Sequence, residues 1–393
     1  MDTVDAPDTG SGLTVVFVGP LLACFEQLAC AARRNGVRTV WIGYPYSRVC
    51  RLRARMFVNQ VLTAYDVDSL AAALRTIGPD SITDIQASEQ VLSHTVAAAT
   101  RARVDPELQV ELERRLHLGD KLVMSLTLAA AGVRVPRALD ASNLTATQAV
   151  TELGLPMVVK GRLANSGATV HIVHSVAEAT RASAAVARYG GPMYEQFVPG
   201  RTLSYVASYS GGGHVLHEGV YLSSRVGHDE VAPPDHVVTL DRPLHRATGR
   251  TVLGLVGGSG LVNMNLIEDD QGQGWVHDVN MRPWGTVVAL RRAGVDFADD
   301  YVRIHSGRLT GAPGGLLPPG EEVDVFPSAV LGTAKHSLPA AFLLWVRLLP
   351  RYLRWTGPGY VLAESVRSAV IIVRDRWRSR RRPRRTGTAT SRA

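Results

Sequence analysis

Cysteine is scarce in this sequence. Only Cys24, Cys30 and Cys50 occur among 393 residues, an odd set confined to the N-terminal segment. So sparse a set argues against a disulfide framework, and its spacing matches no zinc site. The three thiols are expected to be buried and free, in a reducing compartment. Long apolar runs are missing as well. No stretch of about 18 uninterrupted apolar residues occurs, which argues against a membrane-spanning helix. Residues 1–12, MDTVDAPDTGSG, are polar and acidic with no apolar core of the secretory type, and read as a disordered lead-in. A GxGxxG fingerprint is absent, so the first strand and its Gly19 turn carry no dinucleotide site. No internal repeat is visible.

Net positive charge is also missing from most of the chain, although the total is +8. From Arg347 to the end there are 13 arginines against Glu364 and Asp375, a formal charge of +11, which leaves the rest near −3. The basicity belongs to the tail, and the body need not bind nucleic acid.

What is present reads as two or three domains of a soluble globular protein, 46% apolar and 20% charged. LTVVFVGP (13–20), an apolar helical stretch to about Arg34, and NGVRTVWIGYP give strand, helix and strand. SLAAALRTIGPDSITDIQAS repeats helix then strand. Residues 13–105 therefore predict an open parallel α/β domain. Residues 106–310 change character. A helix opens at Gly119–Lys121, LGLPMVVKGRLANSGATVHIV gives a strand, a loop and a strand, and a hairpin is expected around Gly211–Gly213. This is an α+β, two-lobed arrangement. Residues 311–325, rich in Gly and Pro, read as a linker, and 326–393 as an amphipathic helical segment with an Arg-rich tail.

The stretch GLVNMNLIEDDQGQGWVHDVNMRPWG (260–285) carries the chemistry. A turn centred between Gln271 and Gly272 sets Asn265 against Asp278 and Asn263 against Asn280. Side chains alternate along strands, so Asn263, Asn265, Asp278, Asn280 and Arg282 share one face. Trp275, His277, Val279 and Met281 then fall on the other, and Glu268, Asp269 and Asp270 at the turn face solvent. A carboxylate with amides suits Mg²⁺ bound together with phosphates, and a guanidinium beside it suits a phosphoryl oxygen or carboxylate. An exposed polar edge hairpin would show the same pattern.

The order GDK (119–121), VVK (158–160), the small-residue loop GRLANSGATV, MYEQFVPGR (193–201) and DVNMRP (278–283) resembles the ATP-grasp superfamily, in its carboxylate–amine or carboxylate–thiol ligase branch. The resemblance covers about residues 13–310 and lies in the order of the motifs, none being decisive alone. It implies ATP and Mg²⁺ as cofactors. Lys121 and Lys160 resemble the two phosphate-binding lysines. Ser166, Gly167 and Ala168 match the loop that closes over the phosphates. Glu195, Gln196, Phe197 and Val198 match the strand along the adenine edge, with Thr202 at the ribose position. Asp278, Asn280 and Asn265 match the metal ligands, and Arg282 matches the group that stabilises the transferred phosphoryl, with Lys160 beside it in catalysis. Several positions depart from the family pattern. Asp278 replaces a glutamate, Asn265 a usually acidic ligand and Thr202 a frequent glutamate, and the loop has only Gly161 and Gly167. Weaker metal binding, or reliance on one tightly held Mg²⁺, is the implied consequence.

The implied activity is ATP-dependent activation of a carboxylate as an acyl phosphate, followed by transfer to an amine or thiol. A nucleotide-binding protein without turnover, acting as a scaffold or regulator at a membrane surface, is the alternative. Arg291 and Arg292, or Arg225, His236 and Arg242, are candidates to border a substrate pocket, though each also reads as surface. In the tail, apolar and aromatic residues from Leu343 to Trp355 interleave with Arg347, Arg351 and Arg354, and a second helix is expected from Tyr360 to Trp377. An anionic membrane surface fits this pattern, and so does packing on the body or on a partner. No nucleic-acid module is recognisable. The expected location is cytoplasmic, peripheral at the inner face of the membrane if the tail engages lipid.

Overall fold

The computed structural model describes residues 12–20, 22–44, 48–164, 169–224, 235–307 and 314–381. Its first layer is a four-stranded parallel sheet in the spatial order Gln60–Thr63, Arg38–Gly43, Thr14–Val18, Asp84–Ala87. Parallel neighbours need crossover connections, and helices Ala23–Arg34, Arg48–Ala54 and Val67–Ile77 supply them. The first strand, TVVFV, is buried throughout, as a strand covered on both faces must be. Helix Val67–Ile77 starts at a capping box between Asp66 and Ser69, and Asp105 caps helix Pro106–Gly119. Strand order reverses between Thr14–Val18 and Asp84–Ala87, which makes their carboxyl ends a switch point.

Two antiparallel units follow. A small lobe orders its strands Ala138–Asp140, Pro192–Gln196, Met157–Gly161, Val170–Val173, with helices Ala146–Leu153 and Val176–Val186 closing its core. The large sheet runs Gly274–Asn280, Gly260–Glu268, Arg201–Ser210, His214–Ser224, His236–Leu240, Glu322–Asp324, with Gly315–Leu316 parallel to His214–Ser224. Alternation decides its faces. Leu203, Tyr205, Met264, Leu266 and Val276 are buried against Leu253 and Val256 of helix Pro243–Val256. Each such side chain contributes about 1.5–3 kcal/mol. Gly249 permits the contact: a Cβ there would lie 2.5 Å from the Tyr205 ring.

The Gly/Pro segment read as a linker is no free tether. Leu316 and Val323 sit in strands that pair with Glu218 and Val237, because its backbone completes the sheet. The terminal helices Leu338–Thr356 and Pro358–Arg381 turn back onto the parallel domain. Leu348, Tyr352, Tyr360 and Val361 share a core with Phe25 and Leu28. Arg53 bridges the buried carboxylates of Glu26 and Glu364, and the Gln27 amide donates to the Tyr360 hydroxyl at 2.8 Å. Among the described residues no helix is long and apolar enough to cross a membrane. Cys24 and Cys30 are buried free thiols, pushed up by burial to about 11 and about 12.

Candidate functional site

Opposite the apolar face, the same alternation builds a polar one. Thr202 and Ser204 pair with Ile267 and Asn265, and Asn265 and Asn263 pair with Asp278 and Asn280. The facing pairs expected from the sequence are therefore present. A bulge breaks the register after Asn265 and leaves His277 without an opposite residue. The turn is thereby centred on Gln271, and Trp275 lies opposite Ile267. This overturns the expected placement of Trp275, because one inserted residue reverses the alternation beyond it.

Two lysines reach this face from different elements. Lys121 is the first residue of helix Lys121–Ala130, whose N-terminal amides are capped by Asp120. Asp120 is in turn gripped by the Arg162 guanidinium at 2.6 and 3.0 Å. Lys121 Nζ donates to Asp278 Oδ1, while the Asn280 and Asn265 amides donate to Asp278 Oδ2 at 2.9 and 3.5 Å. Burial pushes the Asp278 carboxyl up, but the Lys121 and Lys160 charges outweigh it and hold the group well below the usual carboxylate range. It stays ionised.

Lys160 projects from the small lobe. Its Nζ donates to both Glu195 oxygens, at 2.7 and 2.8 Å, and to the His277 carbonyl at 2.8 Å. An ammonium has three N–H donors, so all are engaged. Glu195 lies diagonally across the adjoining strand, where its backbone partner is Val158. Burial raises the Glu195 carboxyl in spite of the lysine. Burial, with the Lys160 charge added, pushes the His277 imidazole down to about 4, so it is neutral at pH 7.

Arg282 ties the hairpin to the parallel domain. Its Nε donates to Glu89 Oε1 at 2.7 Å, and its terminal nitrogens donate to Asn280 Oδ1 at 3.0 Å and the Pro283 carbonyl at 3.2 Å. Glu89 opens the helix that leaves the carboxyl end of strand Asp84–Ala87. Glu89 Oε2, Ser88 Oγ and Trp284 Nε1 are buried with no hydrogen-bond partner among the described residues.

A divalent cation such as Mg²⁺ needs hard oxygen donors. Asp278 offers one carboxylate. The side-chain oxygen of Asn265 accepts from Ser204 at 3.0 Å, and that of Asn280 accepts from Arg282. Among the described residues no three His, Cys, Asp or Glu side chains gather as a cation site. The donor set fits one ion held largely by phosphate oxygens, and not a protein cage.

No protein-family profile and no curated protein matches this chain. Solved structures do. An N5-carboxyaminoimidazole synthetase from Staphylococcus aureus, complexed with ADP, is 15% identical with a TM-score of 0.62, over 78% of this chain and 80% of that one. The biotin carboxylase domain of the Hydrogenobacter thermophilus 2-oxoglutarate carboxylase, with MgADP and bicarbonate, is 16% identical with a TM-score of 0.58, over 76% and 71%. An L-amino acid ligase from Bacillus licheniformis is 16% identical with a TM-score of 0.57, over 79% and 78%. The chain has the ATP-grasp fold.

Within this ATP-grasp fold the residues singled out in the sequence divide into groups. Lys121, Asn265, Asp278, Asn280 and Arg282 form one connected cluster, and Lys160 joins Glu195 beside it. Gln196 bonds the Arg137 carbonyl through its amide at 2.9 Å, Val198 is buried, Phe197 is half-buried and Thr202 is exposed. Ser166, Gly167, Ala168 and Arg225 lie outside the described residues. The other candidates for a substrate pocket are paired elsewhere: Arg242 with Glu268, Arg291 with Asp296, Arg292 with Glu321 and His236 with Asp324. Glu268, expected in solvent, is 5% exposed because Arg201 and Arg242 neutralise it inside. Sequence reasoning missed Ser204, Asp120, Arg162 and Glu89. Ser204 carried a signal, being two residues along the strand from Thr202. Glu89 carried none, since 193 residues separate it from Arg282.

Proposed function

We propose that this ATP-grasp protein is an ATP-dependent ligase that activates a substrate carboxylate as an acyl phosphate and transfers the acyl group to an amine or a thiol. The observation that carries this function is the Lys121–Asp278–Asn280 cluster set against the buried Lys160–Glu195 pair, where the small lobe meets the large sheet. Similar solved structures, which include ADP and MgADP complexes and an L-amino acid ligase, support it.

In this function ATP lies between lobe and sheet, its adenine edge along Glu195, Gln196, Phe197 and Val198 and its ribose toward Thr202. By the resemblance alone, Ser166, Gly167 and Ala168 are assigned to phosphate binding. Lys121 and Lys160 hold phosphate oxygens, Lys160 by giving up a Glu195 contact, since its three donors are already engaged. Asp278 would hold Mg²⁺, with Asn280 and Asn265 joining it by giving up their contacts with Arg282 and Ser204. That ion supplies neutralisation of phosphate charge when bound. A substrate carboxylate oxygen attacks the γ-phosphorus, the bond from that phosphorus to the bridging oxygen breaks, and ADP leaves with the electron pair. Arg282 stabilises the charge on the transferred group. The amine nitrogen, or thiol sulfur, then attacks the acyl carbon, the carbon–oxygen bond to phosphate breaks, and the nucleophile releases its proton. We place the carboxylate and its acceptor at the strand-order switch beside Glu89. There Ser88 Oγ, Glu89 Oε2 and Trp284 Nε1 have no partner among the described residues, and open α/β sheets bind ligands at such points.

A nucleotide-binding protein without turnover is the second reading, favoured by Asp278 being the single carboxylate of the cluster while both neighbouring amide oxygens are engaged. Calorimetric titration of ATP with and without Mg²⁺, followed by ADP release in the presence of carboxylate and amine pools, tests both. The ligase is expected to bind ATP more tightly with Mg²⁺ and to release ADP only when a carboxylate is present. Binding without any release across such pools favours the second reading, and no binding by the folded protein overturns both.

A further inference from the structure

The two terminal helices are amphipathic twice over. On Leu338–Thr356, the face carrying Ala341, Leu348 and Tyr352 is buried in the body. A second apolar stripe, Leu338, Phe342, Val346 and Leu353, follows helical spacing on the solvent side, and Phe342 is 62% exposed. Pro358–Arg381 repeats the arrangement. Tyr360, Val361 and Glu364 are buried, whereas Leu362, Val366, Val370 and Val373 are 57–69% exposed at spacings of four, four and three. A helix face turned to water is ordinarily polar, and contiguous apolar stripes on a surface mark a contact.

Charge identifies the contact. Arg351 and Arg354 are exposed elsewhere on the first helix and have no ion-pair partner among the described residues. Beyond Val373 the sequence continues RDRWRSRRRPRR, with eight arginines against Asp375. A second copy of the chain would bring the same +11 segment against itself. Nucleic acid has the right charge but offers the stripes no apolar medium. A surface that is apolar below and anionic above satisfies both features.

We infer that the terminal helices dock the protein on an anionic lipid bilayer surface, the two stripes entering the acyl boundary and the arginines meeting the headgroups. This inference stands independently of the ligase function. The test is flotation of the full chain with phosphatidylcholine vesicles, with and without phosphatidylglycerol, at low and raised salt. It is paired with the variant Phe342→Glu/Val366→Glu, whose sites are exposed, with a melting curve as the control for folding. The wild type is expected to float with the anionic vesicles only, and less at raised salt. The variant is expected to lose about tenfold or more in partitioning. Three results overturn the inference: no flotation with anionic vesicles, undiminished flotation of the variant, or an oligomer in lipid-free solution that the variant dissociates. The second would assign binding to tail charge alone, and the third would make the stripes a protein interface.

Discussion

Lys160→Met separates what the Lys160–Glu195 pair does for the fold from what it does for a ligand. The two residues are 3% and 4% exposed. Removing the ammonium leaves the Glu195 carboxylate inside the protein without a counter-charge, which costs about 3–5 kcal/mol. Replacing both, as Lys160→Met/Glu195→Leu, removes the stranded charge, and apolar pairs of similar volume are often neutral substitutes for buried ion pairs. The double variant should recover most of the loss. About 1–3 kcal/mol remains, because the His277 carbonyl also loses its donor. The deficit of the single variant depends on pH. Burial already raises the folded-state pKa of Glu195, and losing the lysine raises it further. A carboxyl with a raised folded pKa contributes stability below its unfolded pKa and loses that contribution as pH rises through the folded one. The deficit is therefore expected to grow as pH rises above the ordinary carboxylate range. Guanidinium denaturation followed by tryptophan fluorescence measures stability, and calorimetry measures ATP binding on the same samples. The expected result is a double variant that is stable and does not bind ATP. A single variant as stable as wild type would refute the buried-pair energetics, and a double variant with wild-type ATP affinity would refute the phosphate role of Lys160.

Asp278→Asn is expected to cut ADP release by about 100-fold or more while changing ATP affinity much less, since its charge acts where the phosphoryl is transferred. Asp278 is held below its ordinary pKa, so the stability that its pairing with Lys121 contributes is present above about pH 4 and lost as pH falls through the depressed value. Denaturation midpoints of wild type and Asp278→Asn should accordingly converge in acid. A Mg²⁺ titration of turnover is expected to show one tight site, and two would contradict the single-carboxylate cluster. Arg282→Lys keeps the charge but loses the fork shared by Glu89 and Asn280, so kcat should fall while the Kd for ATP holds. Arg53→Met strands Glu26, 1% exposed, and leaves Glu364, 0% exposed, only its 3.4 Å contact with Arg367, at a cost of about 3–5 kcal/mol. Limited proteolysis should then cut the terminal helices first.

Much of the candidate site was legible because strand alternation is a local rule. Asn265 against Asp278 and Asn263 against Asn280 follow from a turn position and a period of two. The same rule failed beyond the bulge at His277, because a single unpaired residue leaves no mark in composition or pattern. That bulge moves Trp275 to the polar face, and Lys160 takes the carbonyl of the bulged His277. Glu268 looked like a turn residue in solvent. It is buried because Arg201 and Arg242, from two other segments, neutralise it.

By itself the sequence determined the parallel N-terminal domain, the order of the lysine and hairpin motifs, the polar face of the closing hairpin and the confinement of basic charge to the tail. All are properties of short windows: periodicity, turn residues and net charge. Only the tertiary structure decided that Glu195 would lock Lys160, that Glu89 would meet Arg282, and that the tail would bury one apolar face against the parallel domain while leaving another in water. Each of these depends on which distant segments meet. That choice is made by burial of apolar faces and pairing of buried charges across the whole chain, which no short window contains.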